Sequence, residues 1–244
     1  MEVMQGIRTK LVLVSFSHGA VRIPLAQTLN YTPKITERNI NEFDNLEVAL
    51  IVTTYDGADM TFDYLESDSK VVDAMFADIS PTSDIVIDDP SNYMPVTLFA
   101  NVKTLESGKI FASILAKSCK TKGAPYTEPV LEEAKVTRDM SGMNIVKLKG
   151  VVLLYSRVLA PSPDAGVYLQ TVPPNAYSDG NFNGGNAYTW AQTAVAINGS
   201  YVVHALLNGY EVTTGFTATS SGVTLDDAPA DTDVWEFFTA YQDV

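Results

Sequence analysis

At 244 residues, 46% apolar and 18% charged, the chain reads as globular, long for one domain and comfortable for two. A formal charge of −13 argues against non-specific nucleic-acid binding by phosphate neutralisation. A single cysteine excludes an internal disulfide or a cysteine-held zinc, and no apolar run is long enough to span a bilayer.

The pattern is mainly β. Lys10 to Phe16 reads as a strand and Ala20 to Leu25 as its return, ended by Pro24. The polar stretch 26–42, with Pro33 inside it, reads as an extended arm. Leu46, Val48, Leu50 and Val52 then alternate with Glu47, Ala49, Ile51 and Thr53, and Met60, Phe62 and Tyr64 alternate with Thr61 and Asp63 on the way back. Asp56-Gly57 between them predicts a tight turn, because glycine takes the positive φ a reversal needs. A three-residue loop at Asp56-Gly57-Ala58 pairs Val52 with Phe62 and Leu50 with Tyr64. That register buries the apolar face and leaves Glu47, Thr53, Thr61 and Asp63 on the other.

A helix is predicted from Ser69 to Ile79, capped by Ser67 or Ser69, with Val72, Met75, Phe76 and Ile79 on its apolar face and Pro81 beyond its end. Long polar loops follow at Ser80 to Pro95 and Thr121 to Glu133. Between them Val96 to Leu105 and Lys109 to Ser118 form a hairpin around Ser107-Gly108. Ala134 to Arg138 and Val146 to Val158 close the first unit as strands.

Charge marks a boundary. The first part carries all 16 Lys and Arg against 20 acidic residues, a net −4, while beyond Leu159 nine acidic residues stand with no Lys or Arg, a net −9. The expected organisation is a first domain at 1–159, a Pro-punctuated linker at 160–166 and a separable second domain at 167–244. The second reads as a small all-β sandwich whose short strands are parted by turns such as Asn198-Gly199 and Asn208-Gly209.

Chemistry is sparse. His18 sits in a turn and His204 in a strand, and both read as structural residues. Cys119, between Lys117, Lys120 and Lys122, reads as incidental. Asp226, Asp227, Asp231 and Asp233 match no calcium-loop spacing, and Gly184-Gly185 is followed by no P-loop residues. Glu132-Glu133 and Asp88-Asp89 are adjacent carboxylates that a strand would point apart. No catalytic constellation, cofactor or metal site is expected, so the chain does not read as an enzyme. No charged-then-apolar leader opens it, and no signal peptide is expected.

The order of arm, hairpin around Asp56-Gly57, helix, second hairpin and closing strands to Tyr155-Ser156-Arg157 resembles the tail tube (major tail) proteins of long-tailed bacteriophages, over residues 1 to 158. The remainder, with Asn208-Gly209-Tyr210 and Ala228-Pro229-Ala230-Asp231, resembles the immunoglobulin-like modules of virion proteins. The resemblance implies a β-sandwich with one flanking α-helix and long loops, plus an appended C-terminal β domain, which its net charge of −9 is expected to keep on the outside. It implies homo-oligomeric rings stacked into a tube, with the Glu47, Thr53, Thr61 and Asp63 face toward a lumen that DNA passes without specific binding. Implied partners are further copies and the tape measure, terminator and distal tail proteins, with no membrane. The implied location is the virion, after synthesis in the host cytoplasm. Competing readings are a capsid decoration or fibre-base protein, and a glycan-binding module using Trp190, Tyr188, Tyr177 and Phe182. A carboxylate-pair hydrolase has little support.

Overall fold

A computed structural model of the chain describes residues 7–16, 19–23, 26, 28–41, 48–65, 71, 74–75, 93–104, 110–122, 135–142, 144–159, 181–182, 187–190, 192–227, 230 and 233–242. The described residues are mainly β, arranged as antiparallel sheets. The first half builds one eight-stranded sheet from β1 (Ile7–Ser15), β2 (Gly19–Arg22), β3 (Thr28–Asn41), β4 (Val48–Leu65), β5 (Val96–Thr104), β6 (Ile110–Thr121), β7 (Lys135–Gly142) and β8 (Asn144–Lys149). Its order is β2-β1-β5-β6-β7-β4-β3, with β8 also on β6. Strand β6 serves two parts of this sheet. Ala112 to Lys117 pair with β8, and Lys120 and Thr121 pair with β7.

The run Leu11 to Val14 explains the layering. Alternate residues of a strand point to opposite faces, so four consecutive buried apolar residues need cover on both sides. Leu11 and Leu13 pack with Met60, Phe62, Tyr64 and Met140 in one core. Val12 and Val14 pack with Leu153, Tyr155, Leu206 and Phe238 in a second.

That second core joins the two halves of the chain. Strand β9 (Val151–Leu159) pairs with β16 (Val234–Gln242) over nine residues, from Val234↔Leu159 to Gln242↔Val151. The sheet they belong to has the order β13-β12-β16-β9, with β12 (Val202–Leu207) and β13 (Tyr210–Glu211). A last sheet, in the order β10-β11-β15-β14, covers its far side with β10 (Asn181–Phe182), β11 (Ala187–Thr189), β14 (Phe216–Thr219) and β15 (Gly222–Leu225). Between these two sheets lies a third core with Trp190, Trp235, Phe237 and Tyr241. The predicted linker lies outside the described residues, but the strand just before it belongs to the same sheet as the chain's last strand.

The predicted hairpins at β1–β2 and β5–β6 form as expected. So do the turns at Asn208-Gly209 and Asn198-Gly199, where all four residues hold positive φ. The central hairpin is a correction. Asp56-Gly57 is no turn: β4 runs straight through it as an 18-residue strand. Its partner is the stretch read as an arm, now β3, with Leu29↔Phe62 and Arg38↔Val52 in register. Gly57 uses its positive φ in a bulge instead. Between the pairs Pro33↔Ala58 and Ile35↔Tyr55, β3 has one residue where β4 has two.

No helix is among the elements of the described residues. Most of the predicted helix lies outside them. Of its predicted apolar face only Met75 is described, and it is buried with Val71 and Ala74 against the first core.

Candidate functional site

Two surfaces carry candidate function. The first is the far half of the β3–β4 ribbon. Strand β7 covers β4 only from Ala58 to Leu65, so from Lys34 and Gly57 outward each strand pairs only with the other among the described residues. Eight residues at about 3.3 Å each carry the ribbon roughly 26 Å beyond that cover. Every described side chain in 31–38 and 51–56 is exposed. Directly paired residues share a face, so Tyr31, Ile35, Ile51 and Tyr55 continue the side that holds Phe62 and Met60 in the core. Ile35 and Ile51 are 58% and 57% exposed. Val52, predicted to be buried opposite Phe62, pairs with Arg38 and is also exposed.

The bulge changes which residues share a face. Thr61 and Asp63 lie on the side opposite Phe62. Thr53, beyond the bulge, falls on the same side as Phe62, so it does not share a face with them. Glu47 lies outside the described residues. Thr61 Oγ1 donates to Asp139 Oδ1 and Thr137 Oγ1 donates to Asp63 Oδ1, both at 2.7 Å, across the β4–β7 pairs. Asp59 on this face meets Lys34 and Lys122, whose hydrogen bonds hold its carboxyl below the usual range. The face is polar and accessible.

The second surface is a cleft of about 370 Å³ at the side of the C-terminal sandwich, lined by Lys117, Tyr201, His204, Glu211, Thr213 and Phe216 among others. Lys117 Nζ lies 3.3 Å and His204 Nδ1 3.2 Å from the same Glu211 Oε1. The His204 ring is fully buried, and burial pushes it down to about 4 despite the Glu211 charge. It is neutral at neutral pH. Its Nε2 lies 3.3 Å from Thr97 Oγ1, while the buried Nδ1 faces Glu211 Oε1. Hydroxyl, imidazole and carboxylate in line resemble a nucleophile relay. Thr97 is 1% exposed, however, so no substrate carbonyl reaches its oxygen. Buried in this way, Thr97 cannot run that chemistry.

A third polar cluster lies in the seam between the halves. Glu236 is fully buried, and Tyr155 donates to its Oε1 at 2.5 Å. Burial raises Glu236 to about 7 against the pull of Arg157, its opposite neighbour in register. Glu236 Oε2 and Arg157 Nε have no hydrogen-bond partner among the described residues, while Arg157 Nη2 donates to Phe16 O at 2.8 Å.

The other sequence candidates separate plainly. Cys119 is buried, its thiol pushed up to about 12, and is inert. Trp190 and Tyr188, offered as sugar platforms, are buried in the third core, and no side-chain position is described for Tyr177 or Phe182. Asp233 accepts from Ala230 N and Asn208 Nδ2, closing its own loop. His18, Asp88, Asp89, Glu132, Glu133, Gly184, Gly185 and Asp231 lie outside the described residues. Among the described residues no group of three or more His, Cys, Asp or Glu could hold a metal ion, and no helix is long and apolar enough to cross a membrane. The cleft escaped sequence reading because Lys117, His204 and Glu211 sit on three strands, with no spacing to betray them.

No family model matches the sequence, and no curated protein does. Among solved structures, the chain is similar to one in the cryo-EM structure of the anti-feeding prophage cap, described as the tube terminating cap. The likeness covers 61% of this chain and 95% of that one, at 9% identity and a TM-score of 0.32. At that score it carries no weight for function.

Proposed function

We propose that this protein is a structural virion protein, the subunit of a bacteriophage tail tube that assembles into rings and stacks them into a conduit for DNA. What supports the reading is the ribbon. A two-stranded hairpin with water on both faces is marginal by itself, and this one also exposes Tyr31, Ile35, Ile51 and Tyr55 in a row. Among the described residues its 14-residue strand β3 is the edge of the sheet, and such an edge suits pairing with another chain. Other copies of the chain are the proposed cover, with the remaining tail proteins at the tube's ends.

In this reading the polar β4–β7 face with Thr61, Asp63, Thr137 and Asp139 meets the lumen. Its carboxylates repel phosphates, so DNA slides rather than sticks. The protein acts in the virion after synthesis in the host cytoplasm, and it performs no catalysis. The test is negative-stain microscopy and analytical ultracentrifugation of the purified protein beside an Ile35→Lys/Ile51→Lys variant. Rings or tubes from the parent, lost in a variant whose melting is unchanged, are expected. A parent that stays monomeric across concentration and salt would refute the reading.

A further inference from the structure

The cleft beside His204 offers a chemistry that tube assembly does not use. We propose that it is a binding site for a neutral saccharide. Charge decides the ligand class first. Lys117 and Glu211 are paired at 3.3 Å, and His204 between them is neutral, so the cleft has no net charge to offer. A cationic ligand meets Lys117. An anionic one meets Glu211 and a chain of net charge −13, nine of those charges after Leu159. A neutral ligand meets neither obstacle.

The polar groups then narrow the class. Glu211 offers a carboxylate that accepts and Lys117 an ammonium that donates, while the buried His204 ring sets the floor behind them. A ligand that fits both has donors and acceptors on neighbouring atoms. Adjacent hydroxyls of a pyranose supply that arrangement, with the carboxylate taking two O–H donors side by side. Tyr201 and Phe216 add apolar wall for the C–H face of a sugar ring. A volume of about 370 Å³ suits one or two sugar rings.

The rival occupant is an extended peptide added to the edge of β12. That edge is closed at its start. Ser200 Oγ donates to Val202 O at 2.7 Å and accepts from Val202 N at 3.3 Å, so both backbone groups an added strand needs are taken. Strand β13 already pairs with Leu206 and Leu207 at the other end.

The experiment is saturation-transfer NMR and calorimetry of the whole protein with glucose, galactose, N-acetylglucosamine, maltose and lactose. Saturable binding of at least one sugar is expected. Glu211→Ala, which removes a partly exposed side chain, is expected to weaken it roughly ten-fold or more. Thr213→Trp, which fills the cleft, should abolish it, and Lys34→Ala on the distant ribbon should leave it unchanged. No saturable binding of any of the five sugars overturns the proposal. So does binding that Glu211→Ala and Thr213→Trp leave intact, or displacement of the sugar by a generic extended peptide. Assembly is not read in this experiment, so its failure leaves the tube reading where it stood.

Discussion

Asn101 treats Leu153 as though the two were neighbours in one sheet. Its Nδ2 donates to the Leu153 carbonyl and its Oδ1 accepts from the Leu153 N–H, each at 2.9 Å, although they lie on different layers. The carboxamide copies a peptide group and stands in for a strand partner to β9. Ser113 Oγ steadies it by donating to Asn101 Oδ1 at 2.5 Å, and also reaches Val151 O at 2.8 Å.

Asn101→Ala therefore strands the Leu153 N–H and C=O in a buried layer. The expected loss is about 2 to 4 kcal/mol in urea unfolding, the cost of leaving buried groups unpaired. Asn101→Asp should also destabilise, since its second oxygen meets the Leu153 carbonyl. A change below about 0.5 kcal/mol for Asn101→Ala would mean that β9 is held without this bridge.

Glu236 gives the alkaline side of the stability profile. Burial raises its folded pKa to about 7 from an ordinary 4.5, so the folded chain keeps a proton the unfolded chain releases. That contribution is full below about pH 4.5 and is lost as pH rises through 7, on the order of 3 kcal/mol. Glu236→Gln should flatten this limb and unfold at higher temperature than the parent above pH 7. Parallel melting profiles for the two proteins from pH 4.5 to 8 would place the ionised carboxylate comfortably beside Arg157.

His204 gives a limb of opposite slope. Its folded pKa, about 4, lies below the ordinary 6.5, so protons favour the unfolded chain. Stability from this group is complete above pH 6.5 and falls as pH drops toward 4. The charges facing it are Glu211 from β13 and Lys117 from β6, with Thr97 of β5 its neutral contact. His204→Gln should lose less stability than the parent over that window. NMR titration placing the imidazole pKa near 6.5 in the folded protein would contradict this.

The separable C-terminal domain expected from charge meets a difficulty in the second core. A fragment ending at Ala160 loses Leu206, Phe238 and Ala240 from above Val12, Phe99 and Tyr155, and it leaves β9 without its partner β16. It is expected to aggregate or to bind hydrophobic dye strongly. A soluble fragment with one cooperative unfolding transition would support the two-domain organisation.

Sequence reading found the elements whose signals are local. The β5–β6 hairpin and the Asn-Gly turns carry their own glycines at the reversal. It failed at β3, because Pro33 and a polar composition mask a strand that pairs with β4 from Asn41↔Val48 outward to Thr28↔Asp63, and because Gly57 predicts positive φ equally for a turn and a bulge. A reversal at Asp56-Gly57 puts Thr53 on one face with Thr61, whereas the bulge there puts them on opposite faces. Asn101, Glu236 and the cleft residues were out of reach, since each acquires its role from a strand elsewhere in the chain.

The β9–β16 pairing also sets a schedule. Leu159 and Val234 are paired across 75 positions, and Val151 and Gln242 across 91. At ordinary bacterial translation speed the ribosome needs on the order of 4 to 18 seconds to supply that partner. Throughout that interval β9 presents an open edge, with Leu153 and Tyr155 beside it, to every other nascent chain on the same message. A late strand from one polypeptide can fill the place meant for its neighbour's, and high-level synthesis would bring such neighbours close together. Slow, dilute expression should favour chains that close on themselves.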